Sequence, residues 1–172
     1  QTCQTLPVFH GMQIGWVAGA RLIEELKTRA DTDYLTGILN RRAFATAGNL
    51  RLRSAREQDE TLAVILFDVD HFKSVNDRYG HDAGDQVLIR ITEVVRGILR
   101  DGEILARYGG EEFVVLLLDT ELPMARAAGE KVREVVARVL LEEVKDPRIE
   151  LVTVTGVSMS PDLRHAKVFV VA

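Results

Sequence analysis

Two acidic clusters carry the chemistry that can be read from this chain. The first is Arg107-Tyr108-Gly109-Gly110-Glu111-Glu112-Phe113, which runs into the apolar stretch Val114-Val115-Leu116-Leu117-Leu118. Adjacent glycines ahead of adjacent carboxylates, with a strand-like run behind them, predict a tight hairpin that presents charge at its tip. Glycine suits such a tip for two reasons: it accepts positive φ, and without a Cβ it lets a bulky ligand approach the backbone. A turn of this kind can hold a nucleotide. Carboxylates on the exit strand alternate between faces, so one can hold a divalent cation while its neighbour does something else.

The second cluster closes Leu62-Ala63-Val64-Ile65-Leu66-Phe67-Asp68-Val69-Asp70. Six apolar residues read as a buried strand that ends in Asp-Val-Asp at the sheet edge, with Asp68 and Asp70 on one face. With this strand beside the 113–118 strand, Asp68 and Glu111 converge on one hard cation. Magnesium accepts a few carboxylate oxygens together with phosphates and retained water, which suits so sparse a site. Alone, the Gly-Gly-Glu-Glu motif is better explained as an ordinary hairpin with solvated carboxylates. The second cluster tips the balance.

Asp33-Tyr34-Leu35-Thr36-Gly37-Ile38-Leu39-Asn40-Arg41-Arg42, Phe67 through Asp77, Tyr79-Gly80-His81-Asp82-Ala83-Gly84-Asp85 and the Gly-Gly-Glu-Glu-Phe turn form four ordered motifs between Asp31 and about Val136. Together they resemble the GGDEF family of diguanylate cyclases, which join two GTP molecules into cyclic di-GMP with release of two pyrophosphates. The resemblance implies an α/β fold of the nucleotidyl-cyclase kind, a central mixed or antiparallel sheet flanked by helices. It implies Mg²⁺, replaceable by Mn²⁺, on Asp68, the Val69 carbonyl and Glu111, with Glu111 or Glu112 taking up a proton. Asn76 and Asp85 would read the guanine edge, and Phe72, Gly109 and Gly110 would complete the substrate site. Lys73 would neutralise phosphate charge. Each domain would hold one GTP, so a homodimer is required for product. Many members carry a product-inhibition site in which an arginine is followed three residues later by an aspartate. Here Arg100 is kept, and Glu103 replaces the aspartate, which puts feedback inhibition in doubt.

The elements that must position these groups follow from periodicity. Asp31, Thr32 and Asp33 offer capping side chains, and a helix is expected from about Arg41 to Arg56 after a turn at Gly37, with Glu57 to Glu60 as a loop. Phe72, Val75 and Tyr79 repeat at helical spacing and place Lys73, Asn76 and Asp77 elsewhere on a short helix. A longer helix from Ala83 to Leu99 has an apolar face of Val87, Leu88, Ile91, Val94, Val95 and Ile98. Asp85 reads equally as the N-cap of that helix, and His81 as a structural residue. Met124 to about Glu142 form another helix, with Ala127, Ala128, Val132, Val135, Val136 and Val139 inward.

The chain has 172 residues, 47% hydrophobic and 28% charged, with mean hydropathy +0.02. That suffices for one α/β domain with a sizeable core. A net charge of −4 argues against a protein that lives by gripping nucleic-acid backbones. The lone Cys3 excludes an intramolecular disulfide and points to a reducing compartment; the resemblance implies the bacterial cytoplasm. The start lacks methionine and predicts a fragment or processed product. Met12 to Ala20 are too short an apolar stretch to span a bilayer, although the parent protein could be tethered to a membrane or an upstream sensor. Trp16 to Arg29 repeat apolar residues at helical spacing, so residues 1–30 are read as a linker or signalling helix, and 31–172 as the cyclase-like domain.

The last third, about 132–172, departs from that pattern. Leu140 to Arg148 and Val152 to Val171 resemble ribosome-binding factor A, a small KH-like protein that docks on ribosomal RNA. A helix stops before Asp146-Pro147, and two β-rich runs joined by Ser160-Pro161-Asp162 predict a hairpin. The first run loosely fits a further cyclase strand, so a chimera of two α/β folds is inferred. A final helix with the lysine and arginine that hold the triphosphate in the resembling family is missing from this pattern, which makes reduced activity or a catalytically silent GTP-binding scaffold an alternative. A ribosome- or RNA-associated module is another, but six Lys/Arg against six Asp/Glu over 132–172 leave no basic stripe.

Overall fold

A strand that is apolar at every position has to be covered on both faces, and the chain has two such strands side by side. The computed structural model describes residues 26, 28, 30–70 and 72–140, together with the backbone of strands 153–159 and 165–171. In chain order the elements are β1 (Leu39–Asn40), α1 (Arg41–Gln58), β2 (Leu62–Asp68), α2 (Phe72–Tyr79), α3 (His81–Ile98), β3 (Ile104–Arg107), β4 (Glu112–Leu118), α4 (Leu122–Val139), β5 (Thr153–Met159) and β6 (His165–Val171). The strands form a mixed six-stranded sheet in the order β1-β3-β4-β2-β6-β5. The fold is the expected α/β class, with β2 and β4 antiparallel at its centre. The lead-in helix expected before Asp31 lies almost wholly outside the described residues.

Alternation along the central strands feeds two cores. Ala63, Ile65 and Phe67 stand opposite Leu117, Val115 and Phe113, and with α3 and α4 they form the larger cluster. The rings of Phe67 and Phe113 stack at 5.2 Å. On the other face Leu62 and Leu116 meet Ala55 of α1, flanked by Phe44 and Leu52. Helices α3 and α4 on one side bury that face of β2 and β4, and α1 covers the other in part, at about 1.5–3 kcal/mol per large side chain fully buried.

Helix ends follow local chemistry, with several departures from the sequence reading. Asn40, not the 31–33 triplet, caps α1: its Oδ1 accepts from the Ala43 amide at 3.0 Å. Glu57 and Gln58 remain helical, and Asp59 ends the helix in the left-handed region. Gly80 is the N-cap of α3, so Asp85 lies inside the helix and its capping role is overturned. Tyr79 is 43% exposed, with the Arg78 guanidinium 5.4 Å from its ring centroid, instead of joining the core. The inner face of α4 begins at Ala125 and Gly129, while Ala127 is exposed.

Strands β5 and β6 pair antiparallel, as the hairpin reading required. It is the second of them, β6, that lies parallel to β2, with Leu62 opposite His165 and Asp68 opposite Val171. The remainder of 141–172, including the turn at 160–164, lies outside the described residues.

Candidate active site

The β2–β4 register brings the two acidic clusters together. Asp68, the last residue of β2, stands directly opposite Glu112, the first of β4. Four residues, Tyr108 to Glu111, connect β3 to β4, and the Glu112 carbonyl accepts the amides of Tyr108 at 2.8 Å and Gly109 at 3.2 Å. The Glu111 carbonyl accepts the Val69 amide at 3.2 Å, tying the turn to the end of β2. Glu111 belongs to the turn, not to the exit strand. Asp70 lies beyond β2, so the shared strand face expected for Asp68 and Asp70 does not form.

Like charges opposite each other across a sheet repel. Burial, and then the Glu112 charge, push the Asp68 carboxyl above its ordinary range. Burial raises Glu111 as well, followed by the charges of Asp68 and Glu112. Oxygen donors crowded in this way are what a hard divalent cation relieves. Among the described residues no three His, Cys, Asp or Glu side chains converge into a metal cage. A cation here would therefore draw on two carboxylates and main-chain oxygen. The Val69 carbonyl accepts the Phe72 amide at 3.2 Å, which leaves it a second lone pair. The donor set fits.

The reason for the two glycines differs from expectation. The glycines with positive φ among the described residues are Gly37, Gly80 and Gly102, so neither Gly109 nor Gly110 is there for its backbone angle. A Cβ on Gly109 would collide with the Glu112 carboxylate, whereas one on Gly110 would meet nothing within 4 Å. Gly109 lets the carboxylate fold back over the turn, and Gly110 leaves an open backbone surface.

The Asn76 side chain lies against Gly84 at the junction of α2 and α3, and Asp85 is the next residue of α3. Gly84 is buried there, and a Cβ on it would overlap the Asn76 amide oxygen and come within 3.0 Å of the Phe72 ring. Gly84 thus lets Asn76 lie against α3 one residue from Asp85. Phe72 is 7% exposed and belongs to the core, so it supports this junction from beneath instead of offering an open face to substrate. Lys73 is exposed on α2, one residue beyond Phe72.

Arg100 and Glu103 lie at the opposite end of β3 from the turn. Glu103 accepts both the Arg100 amide, at 2.8 Å, and its Nε, at 3.0 Å, and the Glu103 side chain is only 4% exposed. Arg100 also donates to the Thr120 hydroxyl at 2.9 Å. A cleft of about 580 Å³ lined by Thr32, Gly37, Arg96, Arg100 and Asp101 opens beside them, remote in the fold from the acidic pair.

Sequence reasoning missed the contacts of Arg107, Asp33, Asn40 and Gly84. Arg107 Nη1 donates to Asp33 Oδ1 at 3.0 Å across 74 positions of sequence, and no local pattern signals such a pair. Asn40 stands next to a helical run and carried an N-cap signal in plain view.

The family model described as the diguanylate cyclase GGDEF domain matches residues 30–170. That match runs through most of the segment read as similar to ribosome-binding factor A. A curated relative, the probable diguanylate cyclase DgcT of Escherichia coli strain K12, is 43% identical over 112 residues, covering 65% of this chain and 24% of the relative. The cyclic di-GMP phosphodiesterase NbdA of Pseudomonas aeruginosa is 35% identical over 143 residues, 80% of this chain and 17% of the relative. The chain therefore spans well under half the length of these relatives. Among solved structures, the coiled coil and GGDEF domain of DgcB from Caulobacter crescentus, in complex with c-di-GMP, superposes with TM-score 0.61 at 25% identity, covering 94% of this chain and 76% of that one.

Proposed function

The chain belongs to the GGDEF domain family of diguanylate cyclases, and from that premise we propose that it condenses two GTP molecules into cyclic di-GMP with release of two pyrophosphates. The observation that carries this reading is the meeting of Asp68 with Glu112 and of Val69 with Glu111, which joins two acidic clusters more than 40 residues apart beside an open glycine turn. Gly110, open where a Cβ would stand, lets a bulky triphosphate approach the backbone, and Gly109 makes room for the Glu112 carboxylate beside it. Asn76 and Asp85 present an amide and a carboxylate from one helix junction, matching the acceptors and donors along a guanine edge. Lys73 supplies a point charge for phosphate oxygens.

A divalent cation, proposed as magnesium with manganese able to replace it, would be held by Asp68, the Val69 carbonyl and Glu111, and supplies charge neutralisation at phosphate and a lowered pKa for the attacking 3′-hydroxyl. Glu111, or Glu112 beside it, would take up that proton. Each domain holds one GTP, and two copies must face each other for the two in-line attacks. Among the described residues no helix is long and apolar enough to cross a membrane. A bacterial cytoplasmic site and an upstream sensor are proposed from the family alone.

Purified protein incubated with GTP and Mg²⁺ is expected to yield cyclic di-GMP, and Asp68→Ala to abolish it. Absence of product from the wild-type protein refutes the assignment, and product formation that survives both Asp68→Ala and Glu111→Ala refutes the roles given to these two carboxylates. A catalytically silent GTP-binding scaffold is the second reading, favoured by the likeness to a protein named as a phosphodiesterase. It predicts calorimetric GTP binding without product. The ribosomal likeness of 132–172 rests on that segment's residues alone and predicts co-sedimentation with small ribosomal subunits that weakens with salt.

A further inference from the structure

The Asn76 amide and the Asp85 carboxylate address the edge of a base and leave its two flat faces bare. A base face gains most from an aromatic partner, because stacking buries apolar area on both rings and works for any base. Phe72 cannot supply that partner, since it is 7% exposed with its ring turned to Gly84 inside the core. The rings of Phe67 and Phe113 are stacked on each other and buried. Tyr79, by contrast, keeps 43% of its surface open at the end of α2.

Its place relative to Asn76 follows from helix geometry. Residues three apart are neighbours on a helix surface, with Cβ atoms about 5–6 Å apart, and Asn76 and Tyr79 have that spacing on α2. The Asn76 carbonyl accepts the Gly80 amide at 2.8 Å, so the helical spacing holds through the last turn. Helical side chains lean toward the N-terminus, and a long one covers the turn before its own Cα. The Tyr79 ring therefore lies over the turn that carries Val75, which is buried, and Asn76, which is half-buried. The Arg78 guanidinium stands over the ring, 5.4 Å from its centroid, within the range of a cation–π contact. That contact takes one face of the ring and leaves the other. Lys73, Asn76 and Tyr79 recur every three residues along one side of α2.

We propose that Tyr79 is a base-binding residue: the remaining face of its ring stacks on the guanine whose edge Asn76 and Asp85 read. Helix α2 then serves one nucleotide at three successive places, with Lys73 at phosphate, Asn76 at the base edge and Tyr79 at the base face. The proposal rests on the reading of the Asn76–Asp85 junction as the guanine site. The competing role for Tyr79 is cover for Val75 and nothing more. Leucine at position 79 would cover Val75 but has no π-face, whereas phenylalanine keeps the ring.

The test uses the full chain with Tyr79→Leu and Tyr79→Phe, titrated calorimetrically with Mg²⁺ and 3′-deoxy-GTP, which has no 3′-hydroxyl to react. Affinity is expected to fall about tenfold in Tyr79→Leu and to hold within about twofold in Tyr79→Phe. Inorganic triphosphate, measured by competition against 3′-deoxy-GTP, has no base and should bind the wild type and Tyr79→Leu alike. Without ligand, Tm of the two should agree within about 2 °C. Equal affinity of the wild type and Tyr79→Leu for 3′-deoxy-GTP overturns the proposal. So does an equal loss for inorganic triphosphate, which would show that the substitution disturbs α2 as a whole. Should Tyr79→Leu fail to fold, Tyr79→Met keeps a flexible apolar cover and carries the same measurement. A wild type that binds no 3′-deoxy-GTP refutes the guanine site itself and the stacking with it, whereas wild-type binding that Tyr79→Leu retains in full refutes the stacking alone.

Discussion

Replacing Gly84 with alanine sets two effects against each other with opposite signs. Gly84 is interior to α3 and does not have positive φ, so helix propensity alone favours alanine by about 1 kcal/mol. The added methyl, however, would overlap the Asn76 amide oxygen and press on Phe72 Cζ at 3.0 Å. Asn76 can swing away, but Phe72 is locked in the core. Overpacking of this kind costs roughly 1–3 kcal/mol, which leaves a net destabilisation between zero and about 2 kcal/mol. At roughly 2–4 °C per kcal/mol for a domain of this size, Tm should fall by up to about 8 °C. Displacing Asn76 should also remove the hydrogen bond proposed for it to the base and weaken GTP binding by about tenfold. Thermal denaturation and calorimetric GTP titration of Gly84→Ala measure both. In an Asn76→Ala background the same substitution should cost about 0.5 kcal/mol less or better, because half of the collision is gone. A rise in Tm with GTP affinity unchanged would refute the packing argument and with it the placement of Asn76 against α3.

Glu111→Gln removes one of three mutually repelling carboxylates, so in metal-free buffer at neutral pH it should raise Tm, while the further rise that millimolar Mg²⁺ gives the wild type should disappear; a full Mg²⁺ response in the variant would count against Glu111 as a ligand. Partial burial pushes the Asp33 carboxyl up, but hydrogen bonds from Thr36 and the Arg107 guanidinium outweigh it and hold the group below its ordinary value. Its contribution to stability is accordingly present above the unfolded carboxylate value and lost as pH falls through the lowered one. The Tm gap between wild type and Asp33→Asn should be constant near neutrality and close in acid; a gap that widens on acidification would contradict the sign. Arg100 is engaged by Glu103 and Thr120, so added cyclic di-GMP should leave initial rates unchanged, and Glu103→Ala should release the guanidinium and restore sensitivity to product. Inhibition of the wild type at micromolar product would show that the Glu103 contact does not hold Arg100.

Much of the site was legible because its signals are local. The run from Leu62 to Phe67 and the run from Phe113 to Leu118 can only be central strands, and each carries its carboxylate at the end that faces the partner's. Once β2 and β4 pair antiparallel, Asp68 and Glu112 have to meet. Helices α3 and α4 were visible from their periodic apolar faces. Where the reading failed, a nearby turn or side chain whose conformation the residue types do not reveal decided. Asp85 has the composition of a cap, but the helix starts at His81 because Gly80 turns the chain there with φ 88°. Tyr79 has helical spacing with Phe72 and Val75, yet it is the last residue of the short α2 and stands 43% exposed. The glycines of the turn were ascribed partly to backbone angle, and the space claimed by the Glu112 side chain proved to be the reason for Gly109.

By itself, the order of residues determined the two central strands, the periodic apolar faces of α3 and α4, and that a glycine bend with acidic neighbours leads into one of those strands. Those features depend on hydrophobic period and turn chemistry within a dozen positions. The choice of β6 as the neighbour of β2, the seating of Asn76 over Gly84, the closure of Glu103 on Arg100 and the span of Arg107 from Asp33 to Gly110 were decided by the tertiary structure. A guanidinium or an amide has many partners in a sequence, and folding selects one by what is left within reach once the sheet has closed.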